Sequence, residues 1–234
     1  MLLCIYDEKT EKENIMITSE DKVYVMDLVK KLTPDILEKL NFDSTVKEVG
    51  HSFCDRYEDE LVKMLLDIDD DFTEPTKDRS LDDIKYKGNY INIKFGYKKN
   101  GQPNLCAGNK LFDYLAGVGG KSKDIEIDSY YVISVDAYGP TYMFYDVYEY
   151  LNLDCFHYDG GPGQFMIKES VIKKVYEFNK KIDPLDKKAA LNIICELMDK
   201  GAHKTYELRK KKIQERKDII NEYKQGNLQQ FCTT

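Results

Sequence analysis

The sequence predicts an α/β domain in which a central mixed β-sheet is flanked by α-helices. Three observations predict it. From Ser44 onward apolar residues recur at helical spacing, a hairpin pattern occupies residues 81–96, and an apolar strand run, Tyr130-Tyr131-Val132-Ile133-Ser134-Val135, follows. Helix, hairpin, helix, strand and then more helices is an order that packs helices onto a sheet. With 234 residues, 42% of them hydrophobic, the chain has the material for one sizeable core. We therefore expect one domain over residues 1–234, with its core at about 44–170 and a helical C-terminal region at about 170–225.

The elements follow in order. Met1–Tyr6, Asn14–Thr18 and Lys22–Met26 have the look of an opening strand or hairpin. Asp27–Leu40 predicts one or two short helices, broken near Thr33-Pro34 because proline lacks the N–H a helix interior needs. Val46, Val49, Phe53, Tyr57, Leu61, Met64 and Leu65 step by threes and fours, which predicts an amphipathic helix capped by Asp43 or Ser44. Asp67–Glu74 is an acidic, turn-rich exit. Leu81–Lys87 and Asn89–Gly96 are predicted strands joined at Gly88-Asn89. A polar loop spans Tyr97–Pro103, and a helix is expected over Leu105–Leu115, ended by Gly117, Gly119 and Gly120. Ile125–Asp136 is a buried strand, and Tyr142–Tyr150 and Gln164–Ile167 are strands around a glycine-rich connection. Ser170–Asn179, Pro184–Lys200 and the charged Thr205–Tyr223 are predicted helices.

Composition excludes more than it selects. Charged residues reach 33% and the net charge is -7, so the chain lacks the overall basic excess common in nucleic-acid binders. Local charge matters more than the sum, and residues 203–217 hold seven Lys/Arg against two acids. That run supports either phosphate contact or a solvated helix face. Six cysteines form no CxxC pair, so a zinc ribbon is not expected. MLLCIYDEK is too briefly apolar for a secretory signal, which points to reduced thiols and a cytoplasmic protein. No apolar run approaches the ~18 residues that span a bilayer. Three scattered histidines give no histidine-based metal site, and His157 near Asp154 is expected to be a polar loop group. Asp159-Gly160-Gly161-Pro162-Gly163-Gln164 lacks Walker spacing; it either cradles a phosphate or simply joins two strands.

The hairpin carries the candidate chemistry. Turning at Gly88-Asn89 sets Lys85 opposite Asn92 and Asp83 opposite Lys94, so Asp83, Asn92 and Lys94 share one face while Asp82 points away. A one-residue slip would exchange the two aspartates. A carboxylate, an amide oxygen and an ammonium together can hold a hard cation and a water, with the Ile93 carbonyl as a further oxygen ligand. The competing reading is a surface ion pair.

Asp83-Ile84 followed by Asn92-Ile93-Lys94 resembles the core of the PD-(D/E)xK nucleases. Asp82 stands where that family often has proline, and Asn92 where it has an acid; an N-x-K triplet resembles certain restriction endonucleases of the group. Gly101-Gln102-Pro103-Asn104-Leu105, then Asn109-Lys110-Leu111, is similar to the stretch after the active-site strand in several type II restriction enzymes. The resemblance implies a restriction-endonuclease-like fold and Mg²⁺-dependent cleavage of double-stranded DNA at a short specific sequence. It implies Asp83, Asn92 and the Ile93 carbonyl as metal ligands, Lys94 as the water-positioning group, and Gln102, Asn104, Asn109 and Lys110 as DNA contacts. It also implies a glutamate on the preceding helix beside the site, for which Glu58 is the candidate and Asp55 and Glu48 are rivals. A homodimer and a cognate DNA methyltransferase are the implied partners. A repair or resolving nuclease of the same fold, and a DNA-binding protein with a decayed site, are the alternatives.

Overall fold

The computed structural model describes residues 16–74, 82–96, 104–116, 130–136, 138, 141–153, 155–161, 163–167 and 183–224. It holds a five-stranded mixed sheet with helices on both faces. The helices are α1 (Ser19–Lys39), α2 (His51–Ile68), α3 (Gly108–Ala116), α4 (Val147–Tyr150) and α5 (Lys187–Lys224). The strands are β1 (Phe72–Thr73), β2 (Ile84–Tyr86), β3 (Asn89–Phe95), β4 (Asn104–Ala107), β5 (Tyr131–Asp136), β6 (Thr141–Asp146), β7 (Phe156–Asp159) and β8 (Gln164–Ile167). The large sheet runs β1-β2-β3-β5-β6; β3 and β5 are parallel and every other pairing is antiparallel. A second, antiparallel sheet runs β4-β8-β7.

The central strands carry apolar residues on both faces, as a doubly covered sheet requires. Ile91, Ile93, Phe95, Tyr131, Ile133 and Val135 face α1 and α2. Tyr130, Val132, Met143 and Tyr145 belong to a second cluster with Leu111 and Leu115 of α3 and Ala190 and Ile194 of α5.

Several sequence expectations need correction. Lys22–Met26 is helix, not strand. Thr18 accepts from the Asp21 N–H while the Asp21 carboxylate accepts from the Thr18 N–H, a capping box that starts α1 early. Pro34 lies inside α1 without breaking it. The Thr33 hydroxyl donates to the Val29 carbonyl at 2.7 Å and lies 2.7 Å from the Tyr57 hydroxyl, which ties the proline turn to α2. Having spent its one proton on Val29, Thr33 accepts from Tyr57. Helix α2 starts at His51 rather than Ser44, with Gly50 as its cap, because Asp43 instead closes a local turn by accepting from Thr45.

The hairpin turns at Lys87-Gly88, one residue earlier than expected. Both have positive φ, 49° and 80°, which suits a tight primed turn. Asn89 instead opens β3, its side-chain amide donating to the Tyr86 and Lys87 carbonyls. Residues 104–107 are strand before helix α3 begins, and Tyr142–Tyr150 is strand only to Asp146, after which α4 takes over. Asp146 caps that helix by accepting from the Tyr148 N–H at 2.9 Å.

The two predicted C-terminal helices are one, 38 residues long. Gly201 sits in its middle because β7 crosses there; a Cβ at that point would lie 2.2 Å from the Tyr158 carbonyl oxygen. The glycine-rich stretch after Asp159 proves to be the β7–β8 connection. Its Gly161 and Gly163 N–H groups are taken by Asp159, so neither is free for a phosphate. The expected elements at Met1–Tyr6, Gly117–Gly120 and Ser170–Asn179 lie outside the described residues. Among the described residues no helix is long and apolar enough to cross a membrane.

Candidate active site at the free edge of β3

Strand β3 outruns its neighbour. The β2–β3 ladder ends at Ile84↔Ile91, while β3 continues to Phe95. The Asp83 N–H still bonds the Ile91 carbonyl at 2.9 Å, but Asp83 already sits in a bend. Beyond that point the Ile93 and Phe95 N–H groups face an edge where, among the described residues, no strand accepts from them. Two carboxylates take the place of the missing strand. The Ile93 N–H donates to Asp83 Oδ2 at 2.5 Å, and the Phe95 N–H donates to Glu58 Oε1 at 3.2 Å. Satisfying both donors in this way removes what would be two costly orphaned groups.

Lys94 lies between those two strand residues in sequence, and its ammonium reaches both acids. Nζ is 3.4 Å from Glu58 Oε2 and 3.9 Å from Asp83 Oδ2. Glu58 comes from the middle of α2, beside Tyr57, whose buried ring stacks at 4.3 Å on Phe95 and fixes that helix against β3. Within a strand the N–H and C=O of one residue project to the same side. The Ile93 carbonyl therefore faces this edge together with the Asp83 and Glu58 carboxylates.

Electrostatics separate this cluster from a surface ion pair. The side chains of Glu58, Lys94 and Asp83 are only 18%, 21% and 29% exposed. Burial pushes the Glu58 carboxyl up to about 7; Lys94 opposes the shift and the nearby Asp83 charge adds to it. Asp83 is also raised, again chiefly by burial, with Lys94 and the Ile93 N–H pulling the other way and Asp59 contributing. Two carboxylates and one ammonium leave the group short of positive charge, and desolvation makes that shortage expensive.

The sequence-predicted residues sort as follows. Asp83, Lys94, Glu58 and the Ile93 backbone come together at the edge. Asn92 is 3% exposed and pairs in register with Val132 of β5; being neutral, it takes no part in the ion pairs. The observed register puts Ile91 opposite Ile84, so Asp83 meets Lys94 around the strand edge rather than directly across the ladder. Glu48 and Asp55, the rivals of Glu58, are both exposed. Asp59 was missed; its signal was its place directly after Glu58 on the same helix. Asn104 lies in β4, and Asn109 and Lys110 lie in the first turn of α3. Gln102 lies outside the described residues.

Among the described residues no group of three His, Cys, Asp or Glu side chains is placed to hold a metal. What the edge does present is two carboxylates and a backbone carbonyl, all hard oxygen donors. That set suits Mg²⁺, which typically takes one or two carboxylates and keeps much of its water and substrate phosphate. Cys54, buried close by, has its thiol pushed up to about 11, chiefly by burial, which keeps it protonated near neutral pH.

No protein-family model matches the chain, and no curated protein matches it. A search of solved structures finds a restriction endonuclease in complex with substrate DNA. The match has a TM-score of 0.43 and 13% identity, covering 68% of this chain and 83% of that one.

Proposed function

We propose that this protein is a Mg²⁺-dependent endonuclease that cleaves double-stranded DNA at a short specific sequence, in the manner of a type II restriction enzyme. The observation that carries the reading is the cluster at the β3 edge, where Asp83, Glu58, Lys94 and the Ile93 carbonyl converge in a half-buried pocket of charge. Structural ion pairs are seldom built from two buried acids on one lysine, since the second acid costs stability and gains little.

Asp83 and the Ile93 carbonyl would hold the cation, with Glu58 supplying the acidic oxygen that Asn92 does not. Bound there, Mg²⁺ supplies a Lewis acid that favours ionisation of water and neutralises charge on a phosphodiester. Lys94 positions the attacking water and offsets charge growing on the phosphate in the transition state. The backbone bonds from Ile93 and Phe95 fix the two carboxylates before substrate arrives, so little reorganisation is left for the reaction. Asn104, Asn109 and Lys110, with Gln102, follow the catalytic strand in sequence and are assigned to DNA contact, amide side chains being suited to adenine edges. Cutting both strands calls for two such sites, hence a two-fold homodimer, and a cognate methyltransferase would protect the host's own DNA.

A digest of plasmid DNA with the purified protein, with and without Mg²⁺, tests the reading. Wild type is expected to give discrete fragments with Mg²⁺ and none with EDTA. Lys94→Ala leaves the two acids without their cation and is expected to lower the melting temperature; assayed well below that temperature, with folding checked by circular dichroism, it should lose at least about 100-fold in rate. Intact plasmid with wild type under every divalent metal would leave the second reading, a DNA-binding protein with a decayed site. The neutral Asn92 is the observation that favours it.

A further inference from the structure

Helix α5 divides into a packed half and a free half. Up to Gly201 it lies against β7 and α3, with Ala190, Ile194 and Gly201 buried. From Tyr206 to Asn221 every residue is exposed. At ~1.5 Å per residue that is a rod of about 24 Å standing clear of both cores.

The free half is sorted by charge around its circumference. At ~100° per residue, Lys212, Arg216, Arg209, Ile220, Ile213, Tyr206, Lys217 and Lys210 fall in that order within an arc of about 160°. No acid enters that arc. Glu207, Glu215 and Asp218 lie on the opposite side, where Lys211 pairs with Glu215 at 3.9 Å and Gln214 bonds Asp218 at 2.8 Å. Among the described residues Arg209, Lys210, Lys212, Arg216 and Lys217 have no ion-pair partner. This concentration of cations stands in a chain of net charge -7, so the rest of the molecule repels the polyanion that this face attracts.

We propose that this cationic face of α5 is an arm that binds the phosphate backbone of duplex DNA. The inference rests on the nuclease reading and deepens it by locating a binding surface away from the β3 edge. Charge complementarity selects the occupant. A second copy of the same helix would set Arg209 and Arg216 against their own counterparts. An anionic membrane asks for a continuous apolar face, roughly 100° or more wide, whereas the exposed apolar residues form two narrow strips, Tyr206, Ile213 and Ile220 within about 40° and Leu208 and Ile219 about 20° apart, with Lys212, Arg216 and Arg209 between them. Those three are 61%, 52% and 52% exposed and lie between the cations, where they can rest on sugar and base edges while arginine and lysine take the phosphates.

The test is fluorescence anisotropy with a labelled 24-base-pair duplex in EDTA, using the full chain and the variant Arg209→Ala/Lys212→Ala/Arg216→Ala. Alanine favours helix, so circular dichroism should stay unchanged. At ~0.1 M salt the variant is expected to bind about 10–100-fold more weakly, and its slope of log K against log salt should shrink by about 2–3. Glu207→Ala/Glu215→Ala, on the opposite side, should bind at least as tightly as wild type. If wild type binds and the triple variant binds equally well with the same slope, the arm proposal fails while the nuclease reading stands. If wild type does not bind duplex in EDTA, the arm proposal fails, and the plasmid digest with Mg²⁺ decides the nuclease reading separately. Sedimentation of wild type, but not the variant, with phosphatidylserine vesicles, combined with equal duplex binding, would assign the face to a membrane surface instead.

Discussion

Glu58→Gln should make the metal-free protein more stable at alkaline pH while damaging its Mg²⁺ response. The carboxyl of Glu58 is pushed up to about 7 from an ordinary value of 4.5, chiefly by burial. A raised acid favours the state in which it is protonated, so its contribution is fully present below the unfolded value and is lost as pH climbs through the folded one. A shift of this size corresponds to roughly 3 kcal/mol once pH exceeds 7. Discounting for the fifth of the side chain that reaches solvent leaves about 2 kcal/mol. Glutamine has nearly the same shape and keeps an oxygen for the Phe95 N–H, but it carries no charge. At pH 8 in EDTA the variant should therefore melt about 4–8 °C above wild type, given ~2–4 °C per kcal/mol for a domain of this size. At pH 4, below the ordinary value of 4.5, the two melting curves should nearly coincide. Adding millimolar Mg²⁺ at pH 8 should raise the melting temperature of wild type and move the variant much less, because bound ligand stabilises by mass action. Melting curves at both pH values, read by circular dichroism, decide it. A variant equal to or less stable than wild type at pH 8 in EDTA would mean that the Glu58 charge is well accommodated, and the case for a charge-starved site would collapse.

Two further perturbations probe parts of the fold that the site depends on. Asp146 is buried and its carboxyl is pushed up to about 7, mainly by burial and further by Glu149, while the Tyr130 and Tyr148 N–H bonds oppose the shift. Asp146→Asn retains the acceptor for both donors, so above pH 7 it should gain a few kcal/mol (~2–4) over wild type, a gain that shrinks as pH falls and is almost nothing below the ordinary value of 3.8; a flat difference across pH in chemical denaturation would contradict this. Gly201→Ala tests the crossing of α5 and β7. Alanine gains ~1 kcal/mol in helix propensity, yet the new methyl meets the Tyr158 carbonyl, so a net loss of about 2 kcal/mol and a melting drop of roughly 4–8 °C are expected. A rise in melting temperature would show that β7 yields at no cost.

How much of this was legible in the sequence depends on the range of the interaction that decides each feature. The apolar steps Phe53, Tyr57, Leu61 and Leu65 gave the body of α2, because burial of one helix face follows directly from period. Its start was misplaced because Asp43 had two local bonding options, a helix cap or a turn with Thr45, and the pattern does not rank them. The layered sheet with helices on both faces followed from the order of elements. The second sheet did not, because its strands are only four residues long and β4 finds its partner, β8, far along the chain. A single helix across residues 201–204 was hidden because glycine there answers to the close approach of Tyr158, a contact that no local signal carries.

The candidate site shows the same division and explains why a turn misplaced by one residue did no harm. Moving the turn from Gly88-Asn89 to Lys87-Gly88 shifts each pairing by two, and two is the side-chain period of a strand. Asp83 is therefore still the aspartate brought near Lys94, although the meeting happens around an edge rather than across a ladder. The edge itself was not legible: it exists because β2 stops at Ile84 while β3 runs on beside β5. An unfinished ladder leaves donors that must be satisfied, and two acids satisfy them here. Glu58 gives Oε1 to the Phe95 N–H and keeps Oε2 beside Lys94, while Asp83 turns the same oxygen, Oδ2, to the Ile93 N–H and to Lys94. A strand in that place would have made a more stable sheet and left no room for the two carboxylates beside Lys94.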